Sequence, residues 1–269
     1  MLGRLRTRAQ PNRAKPVNPP DSPPAPDADA PSPTQRAAYF STFGALVVPG
    51  AFRAEVERIE AGFERVFARE PSDPVDPAVS LHKVVDPSLG SPRRQIAGTF
   101  IERDPDLLWL RDDARIRELA TAILGDGCAY NGSTGNLFNS YISWHSDYFH
   151  SPIPTDRRIK FAFYLDPLTR ASGSLRVIPG THHRGPLRAE LFDEGETFAP
   201  DHLERKFGMA DDELPHWPLE VMPGDLVIFD NAVLHASFGG SSRRRMFSVQ
   251  FRAAHPGSTL GPESDAGAP

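Results

Sequence analysis

The spacing of apolar residues in the first half of the chain predicts helices. Between residues 52 and 66, apolar side chains recur every three or four positions with charged residues between them, as expected for an amphipathic helix with one buried face. A similar spacing follows Asp112 and Asp113, either of which could cap a second helix, and Gly125 is expected to end it.

Shorter elements are predicted before and between these two helices. Thr34 is a plausible N-cap for a short helix that ends near Phe43. The apolar run 45–48, which is followed by a Pro-Gly turn, is predicted to be a strand, and residues 79–85 are a second candidate strand.

The pattern changes after residue 126, where short strand-like runs alternate with Gly, Pro, Asn and Ser. This texture is typical of an all-β sandwich or jelly roll, so the fold class is mainly β with N-terminal helices. Residues 185–218 are expected to be a long insertion, either a functional lid or a disordered loop. The predicted strands are 137–143, 160–165, 174–178, 225–229 and 246–252.

Both ends of the chain differ in composition from its middle. Residues 1–33 are rich in proline and poor in large apolar side chains, which predicts a disordered leader. Residues 256–269 are interpreted in the same way. One folded domain is therefore expected over residues 34–255 of the 269-residue chain.

Charge and cysteine content exclude several classes of protein. The formal net charge of -5 argues against nucleic acid as the main partner. The single cysteine, Cys128, excludes a disulfide framework within the chain and a zinc site built from several cysteines. No apolar run approaches ~18 residues and no secretory signal is recognisable, so we expect a cytoplasmic protein without a membrane span.

The candidate chemistry lies in Trp144-His145-Ser146-Asp147 and in a distant histidine, His235. On an extended strand, His145 and Asp147 point to the same face, whereas Trp144 points to the opposite face and is expected to pack in the core. His235 follows a buried strand, and a jelly roll brings distant strands side by side. Two imidazoles and one carboxylate form the facial triad of non-haem Fe(II) oxygenases, which leaves coordination positions open.

An arginine cluster, Arg243-Arg244-Arg245, leads into the last predicted strand and could hold a carboxylate through paired hydrogen bonds. The strand period leaves Arg244 and Arg245 both open as the carboxylate-binding residue. The face that carries Arg245 is mostly apolar and is expected to face the core between the sheets. The two faces are Arg244, Met246, Ser248 and Gln250 on one side, and Arg245, Phe247, Val249 and Phe251 on the other.

Several motifs in this order resemble the phytanoyl-CoA dioxygenase family of Fe(II)/2-oxoglutarate-dependent oxygenases, which includes ectoine hydroxylases. The resemblance covers nearly all of the expected folded domain. The motifs that carry it are the segment 39–50, Trp144-His145-Ser146-Asp147, the segment 172–182, Pro223-Gly224-Asp225, His235-Ala236-Ser237 and the arginine-led last strand.

The resemblance implies a double-stranded β-helix core, which is a cupin-like jelly roll, flanked by α-helices. It also implies that His145, Asp147 and His235 bind Fe(II), with 2-oxoglutarate as co-substrate and O2 as oxidant. His182 and His183 are interpreted as part of a structural turn and not as metal ligands.

In the family, the arginine that binds the distal carboxylate of 2-oxoglutarate precedes a serine by four positions and an aromatic residue by seven. Arg244 fits this pattern with Ser248 and Phe251. Arg244 is therefore the first choice for this role, and Arg245 is the second.

Polar residues near the triad are candidates for contacts with 2-oxoglutarate or substrate, namely Asn136, Asn139 and Lys160. The expected reaction is hydroxylation of a C–H bond in a small metabolite or natural-product intermediate, with release of succinate and CO2. The carboxylate of Asp147 supports hydroxylation or another two-electron oxidation, because halogenating relatives lack it. The alternatives are a cupin-like metalloprotein of another activity, such as a 2-oxoglutarate-independent oxygenase or an isomerase, and a non-catalytic binding protein on the same fold.

Overall fold

A computed structural model provides the structure of the protein. It describes residues 30–68, 81–86, 91–138, 142–148, 157–183, 185–191, 206–210, 212–238 and 244–254. The predicted C-terminal tail and the predicted leader, apart from residues 30–33, lie outside these ranges, so both remain predictions.

The described residues form helices in the first half of the chain and mostly strands after it. The helices are α1 (Pro33–Phe43), α2 (Val56–Ala68), α3 (Ala114–Leu124) and the short α4 (Pro186–Leu191). The strands are β1 (Ala45–Val48), β2 (Leu81–Asp86), β3 (Ser91–Gly98), β4 (Ala129–Phe138), β5 (Ile142–His145), β6 (Arg158–Tyr164), β7 (Leu175–Val177), β8 (Trp217–Leu219), β9 (Leu226–Asp230), β10 (His235–Ser237) and β11 (Arg244–Arg252).

The strands form two antiparallel sheets. The major sheet has the order β1-β9-β6-β11-β4-β3-β2, and the minor sheet has the order β5-β10-β7-β8. Consecutive strands such as β9 and β10 belong to different sheets, so the chain crosses repeatedly from one sheet to the other. This arrangement is the jelly-roll core that the sequence predicted.

Helix α1 begins two residues earlier than expected. Its N-cap is Ser32, whose side chain accepts a hydrogen bond from the Gln35 N–H while the Gln35 side chain accepts one from the Ser32 N–H. The prediction of Thr34 as the cap was wrong, because the Ser32–Gln35 pair forms a capping box and Pro33 suits the first helical position. Gly44 ends the helix with a φ of 80°, a conformation that glycine adopts readily.

The other predicted helices are confirmed. In α2, the periodic side chains Ile59, Phe63 and Val66 are buried. Asp113, not Asp112, caps α3, and Gly125 follows its last residue.

The largest apolar cluster lies between the helices and the outer face of the major sheet. Phe247 packs face to face on Phe163 with ring centroids 4.7 Å apart, and both are buried with residues of α2 and α3. The Arg245 face of β11 therefore packs beneath the helices, and the prediction that it faces the space between the sheets was wrong. A second apolar cluster, which includes Val177, Val227 and Phe229, fills part of that space.

The single strand predicted over residues 137–143 is divided in the structure. β4 ends at Phe138 in the major sheet, and β5 begins at Ile142 in the minor sheet. The sequence also missed most of β4 and all of β3, β8 and β10. The predicted strand at residues 79–85 corresponds to β2. Among the described residues, no helix combines the length and apolar character needed to cross a bilayer.

Candidate metal centre

The minor sheet brings the two predicted histidine ligands side by side. His145 is the last residue of β5 and pairs in register with His235, the first residue of β10. Their ring centroids are 4.2 Å apart. One ligand atom each from His145, Asp147 and His235 lies within 4.8 Å of the others, a group that could hold one metal ion.

A backbone hydrogen bond joins the two segments that carry these ligands. The Asp147 N–H donates to Asn231 O at 2.9 Å, which fixes the residues after β5 to the turn between β9 and β10. Asp230 stabilises that turn, because its Oδ1 accepts a hydrogen bond from the Ala232 N–H at 3.0 Å. The side chains of Asp147 and His235 therefore approach each other from adjacent, linked segments.

His235 has the orientation expected of a metal ligand. Its Nδ1 lies 2.9 Å from Val233 O, so a proton on Nδ1 leaves the lone pair of Nε2 directed into the site. Burial lowers the pKa of His235, although Asp147 opposes the shift. The neutral imidazole that metals bind is therefore favoured.

Asp147 has one carboxylate oxygen paired and one available. Its Oδ1 lies 2.7 Å from Lys160 Nζ, whereas its Oδ2 lies 3.9 Å from His235 Nε2. Oδ2 is buried and has no hydrogen-bond partner among the described residues. Burial raises the pKa of Asp147, but the electrostatic influence of Lys160, His235 and His145, together with the hydrogen bond from Lys160, outweighs it and lowers the pKa to about 2.

A buried carboxylate oxygen without a partner is costly, and a metal ion at this position would satisfy it. Two imidazoles and one carboxylate oxygen form the donor set that non-haem iron accepts. The residues present therefore fit an iron ion.

The triad lies in a cavity between the two sheets, and Arg244 contributes to its wall. The Arg244 side chain is 1% exposed and donates hydrogen bonds to Gly173 O and Ser237 Oγ. Burial lowers the pKa of Arg244. The other residues that line the cavity are Thr134, Asn136, Ile142, Lys160, Tyr164, Leu175, Phe229, Ala236, Ser237, Met246 and Ser248, together with the triad.

The structure separates the two candidate arginines. Arg245 lies on the opposite face of β11 and does not line the cavity. Its guanidinium pairs with Glu60 and Glu64 of α2 and with Asp166. We therefore retain Arg244 alone as the candidate anion-binding residue.

The remaining predicted polar residues have different locations. Asn136 and Lys160 line the cavity, whereas Asn139 lies outside the described residues. The Nε2 atoms of His182 and His183 lie 3.1 and 2.9 Å from Ser41 O, and neither histidine is part of the triad.

Sequence reasoning missed three polar residues of the cavity wall, namely Thr134, Tyr164 and Ser237. Tyr164 lies four positions after Lys160 on β6 and therefore on the same face, so the strand period could have identified it. Ser237 contacts Arg244 only because β10 and β11 lie in facing sheets. No local signal in the sequence indicates that contact.

Comparison with known proteins was made by sequence and by structure. The curated ectoine dioxygenase of Sphingopyxis alaskensis is 28% identical over 232 residues, which cover 78% of this chain and 72% of the relative. The crystal structure of EctD from S. alaskensis with 2-oxoglutarate and 5-hydroxyectoine gives a TM-score of 0.61 at 22% identity, covering 84% of this chain and 78% of that one. The non-haem alpha-ketoglutarate-dependent carbocyclase SnoK from nogalamycin biosynthesis gives 0.62 at 16% identity, covering 81% and 83%.

The two solved structures support the jelly-roll fold. The sequence model described as phytanoyl-CoA dioxygenase (PhyH) matches residues 40–247, a span that contains the triad and Arg244. The chain belongs to the phytanoyl-CoA dioxygenase family.

Proposed function

We propose that the protein is an Fe(II)- and 2-oxoglutarate-dependent dioxygenase that hydroxylates a C–H bond of a small metabolite or natural-product intermediate. The observation that carries this proposal is the convergence of His145, Asp147 and His235 in a cavity that also contains the buried Arg244. Family membership supports the same class of reaction.

The metal would be held by His145, Asp147 and His235 through one ligand atom each. Bound iron supplies the redox chemistry by which O2 oxidises 2-oxoglutarate to succinate and CO2 and oxidises the substrate. The chain itself orients His235 through Val233 O and leaves Asp147 Oδ2 available for the ion. Phe229 packs against the His235 ring at 5.0 Å and helps to limit the access of water.

Arg244 would bind the distal carboxylate of 2-oxoglutarate. Gly173 O and Ser237 Oγ orient its guanidinium, and both of these acceptors are neutral. Ser248 lies on the same face of β11 and also lines the cavity. A planar guanidinium in a buried site suits a carboxylate, which it can bind through two parallel hydrogen bonds.

Lys160 is better placed to pair with Asp147 than to bind 2-oxoglutarate. It pairs in register with Gln250, six positions beyond Arg244 on β11, which is about 20 Å along the strand. The two cations therefore approach the cavity from opposite ends. With Lys160 bound to Oδ1, Oδ2 is the Asp147 oxygen that would hold the metal.

Ring closure is the second candidate outcome, because a carbocyclase, SnoK, is among the solved structures that share this fold. Both outcomes use 2-oxoglutarate and O2, and they differ only in the product. Incorporation of one oxygen atom into the substrate indicates hydroxylation, whereas loss of two hydrogen atoms without oxygen incorporation and without a new C=C bond indicates ring closure.

The test is a screen of candidate metabolites, with ectoine among them, for enhanced succinate release by the full-length protein. We expect succinate formation that requires Fe(II), O2 and 2-oxoglutarate and that one class of compound accelerates. Mass spectrometry of the accelerated reaction then assigns the product. His235→Ala serves as the inactive control, because it removes one metal ligand.

Two results would overturn the proposal. Tight Fe(II) binding with no 2-oxoglutarate turnover would favour a 2-oxoglutarate-independent metalloprotein. Absence of Fe(II) binding in the purified protein would favour a binding protein on the same fold.

A further inference from the structure

Helix α4 opens the segment that the sequence identified as an insertion, and it packs behind the metal centre. Leu191 of α4 belongs to an apolar cluster with Trp144 and Leu234, the residues directly before His145 and His235. Neighbouring residues on a strand point to opposite faces, so this cluster lies on the face of the minor sheet opposite the metal ligands.

One residue of this helix, Arg188, is charged and nevertheless only 3% exposed. Burial of an arginine is costly unless hydrogen bonds use its donors. The acceptors of Arg188 therefore indicate why it is retained inside the protein.

The acceptors of Arg188 belong to both segments that carry metal ligands. Its Nη1 donates to Ala232 O at 2.5 Å, in the turn that precedes His235. Its Nη2 lies 3.4 Å from Oγ of Ser146, the residue between His145 and Asp147. One guanidinium thus bridges the two segments.

The third acceptor extends this bridge. Arg188 Nη1 also donates to Thr181 O at 3.0 Å. The Thr181 hydroxyl accepts a hydrogen bond from the Leu234 N–H at 2.9 Å and donates to Ile178 O at 2.6 Å. The residue directly before His235 is thereby held by the same network.

We infer that Arg188 is a positioning residue for the metal centre, acting through Ser146, Ala232 and Thr181 on the three ligands. This inference rests on the metal site of the proposed function. The guanidinium lies behind the ligands and keeps their segments in register, in addition to the direct hydrogen bond from Asp147 N–H to Asn231 O. Partners that hydrogen-bond directly to metal ligands typically change metal affinity by about 10- to 100-fold when they are removed. Arg188 acts through residues next to the ligands, so an effect at the lower end of that range is expected.

The test compares metal binding by full-length wild-type, Arg188→Met and Leu191→Ala proteins. Co(II) is titrated anaerobically into each apoprotein, because its visible spectrum reports both affinity and coordination geometry. We expect Arg188→Met to bind Co(II) at least about tenfold more weakly and to change the spectrum. Leu191→Ala weakens the docking of the same helix but keeps the guanidinium, so we expect wild-type affinity and spectrum.

Arg188→Lys provides a second measurement if Arg188→Met does not fold. Lysine keeps the charge but lacks the planar fork with which Arg188 reaches Ala232 O and Ser146 Oγ from two different nitrogens, so an intermediate affinity is expected. Wild-type Co(II) affinity and spectrum in Arg188→Lys and in any folded Arg188→Met would overturn the inference. An equal loss of affinity in Leu191→Ala would also overturn it and would assign the effect to helix docking.

The same titration separates this inference from the metal site on which it rests. If the wild-type protein binds Co(II) and His235→Ala does not, the site exists, and the Arg188 variants decide the inference. If the wild-type protein binds no Co(II), the proposed function fails and the inference fails with it.

Discussion

Arg244 and Arg245 are neighbours on one strand with opposite surroundings, because successive side chains of a strand point to opposite faces of the sheet. The guanidinium of Arg244 lies in the cavity between the sheets, where Gly173 O and Ser237 Oγ orient it. Burial acts to lower the pKa of Arg245, but its hydrogen bonds to Asp166 and Glu64 raise it. Arg245 thereby links β11 to helix α2.

We predict that Arg244→Ala weakens 2-oxoglutarate binding by roughly 100-fold, because loss of charge-assisted hydrogen bonds costs about 3 kcal/mol. The measurement is an anaerobic titration of the Fe(II) protein with 2-oxoglutarate, followed calorimetrically. Arg245→Ala is the matched control and should leave this affinity unchanged. Its partly exposed ion pairs should instead lower the free energy of unfolding by about 1 kcal/mol. Equal weakening of 2-oxoglutarate binding in the two variants would contradict the assignment.

Lys160 and Asp147 form an ion pair that is largely buried, with 17% and 14% of their side chains exposed. We predict that Lys160→Met lowers the free energy of unfolding of the metal-free protein by about 3 kcal/mol, since it leaves a buried carboxylate without its cation. A divalent ion replaces part of that compensation, so added Co(II) should stabilise the variant more than the wild type. Thermal unfolding with and without Co(II) measures both effects. A smaller metal-induced shift in Lys160→Met would show that Lys160 is required to bind the ion.

At the scale of elements, the helices could be predicted because their patterns are local. Helix α2 carries its periodic apolar face within its own sequence, and Ile59 and Phe63 are buried as the period requires. Strand β4 lacks such a pattern, because it contains two glycines and several polar residues. It forms a strand because it pairs with β11 on one side and with β3 on the other. At Gly135, an added Cβ would lie 2.1 Å from the Phe100 ring. That requirement for glycine depends on packing with residues distant in sequence.

The start of α1 provides a prediction at this scale. Ser32→Ala removes the capping hydrogen bond to the Gln35 N–H and should lower the free energy of unfolding by about 1 kcal/mol. Thr34→Ala is the matched control, because Thr34 lies inside the first turn and not at the cap. Urea unfolding of both variants measures the difference. Equal destabilisation by the two substitutions would show that Ser32 does not act as the cap.

At the scale of the whole molecule, the prediction of the family, of its jelly-roll fold and of iron with 2-oxoglutarate is confirmed. That prediction rested on the order of the motifs along the chain. Each motif is a short local sequence, and the resemblance to a known family supplied the fold that brings the motifs together. The face of β11 that packs beneath the helices was assigned wrongly, since both faces of the strand are buried and periodicity cannot rank them. The sequence also gave no indication of Arg188, whose acceptors lie in three separate segments.

The metal centre joins distant parts of the chain, so binding of the ion should stabilise the whole fold. His145 and Asp147 lie about ninety positions before His235, and unfolding separates them. With free Co(II) at 100 times its dissociation constant, the expected stabilisation is about 2.7 kcal/mol. This corresponds to an increase of about 5 to 10 °C in Tm for a chain of this size.

His235→Ala should abolish the increase, whereas His182→Ala should retain it, because the His182 ring contacts Ser41 O and does not belong to the triad. Differential scanning calorimetry of the three proteins with and without Co(II) provides the measurement, and an equal increase in His235→Ala would place the bound ion elsewhere.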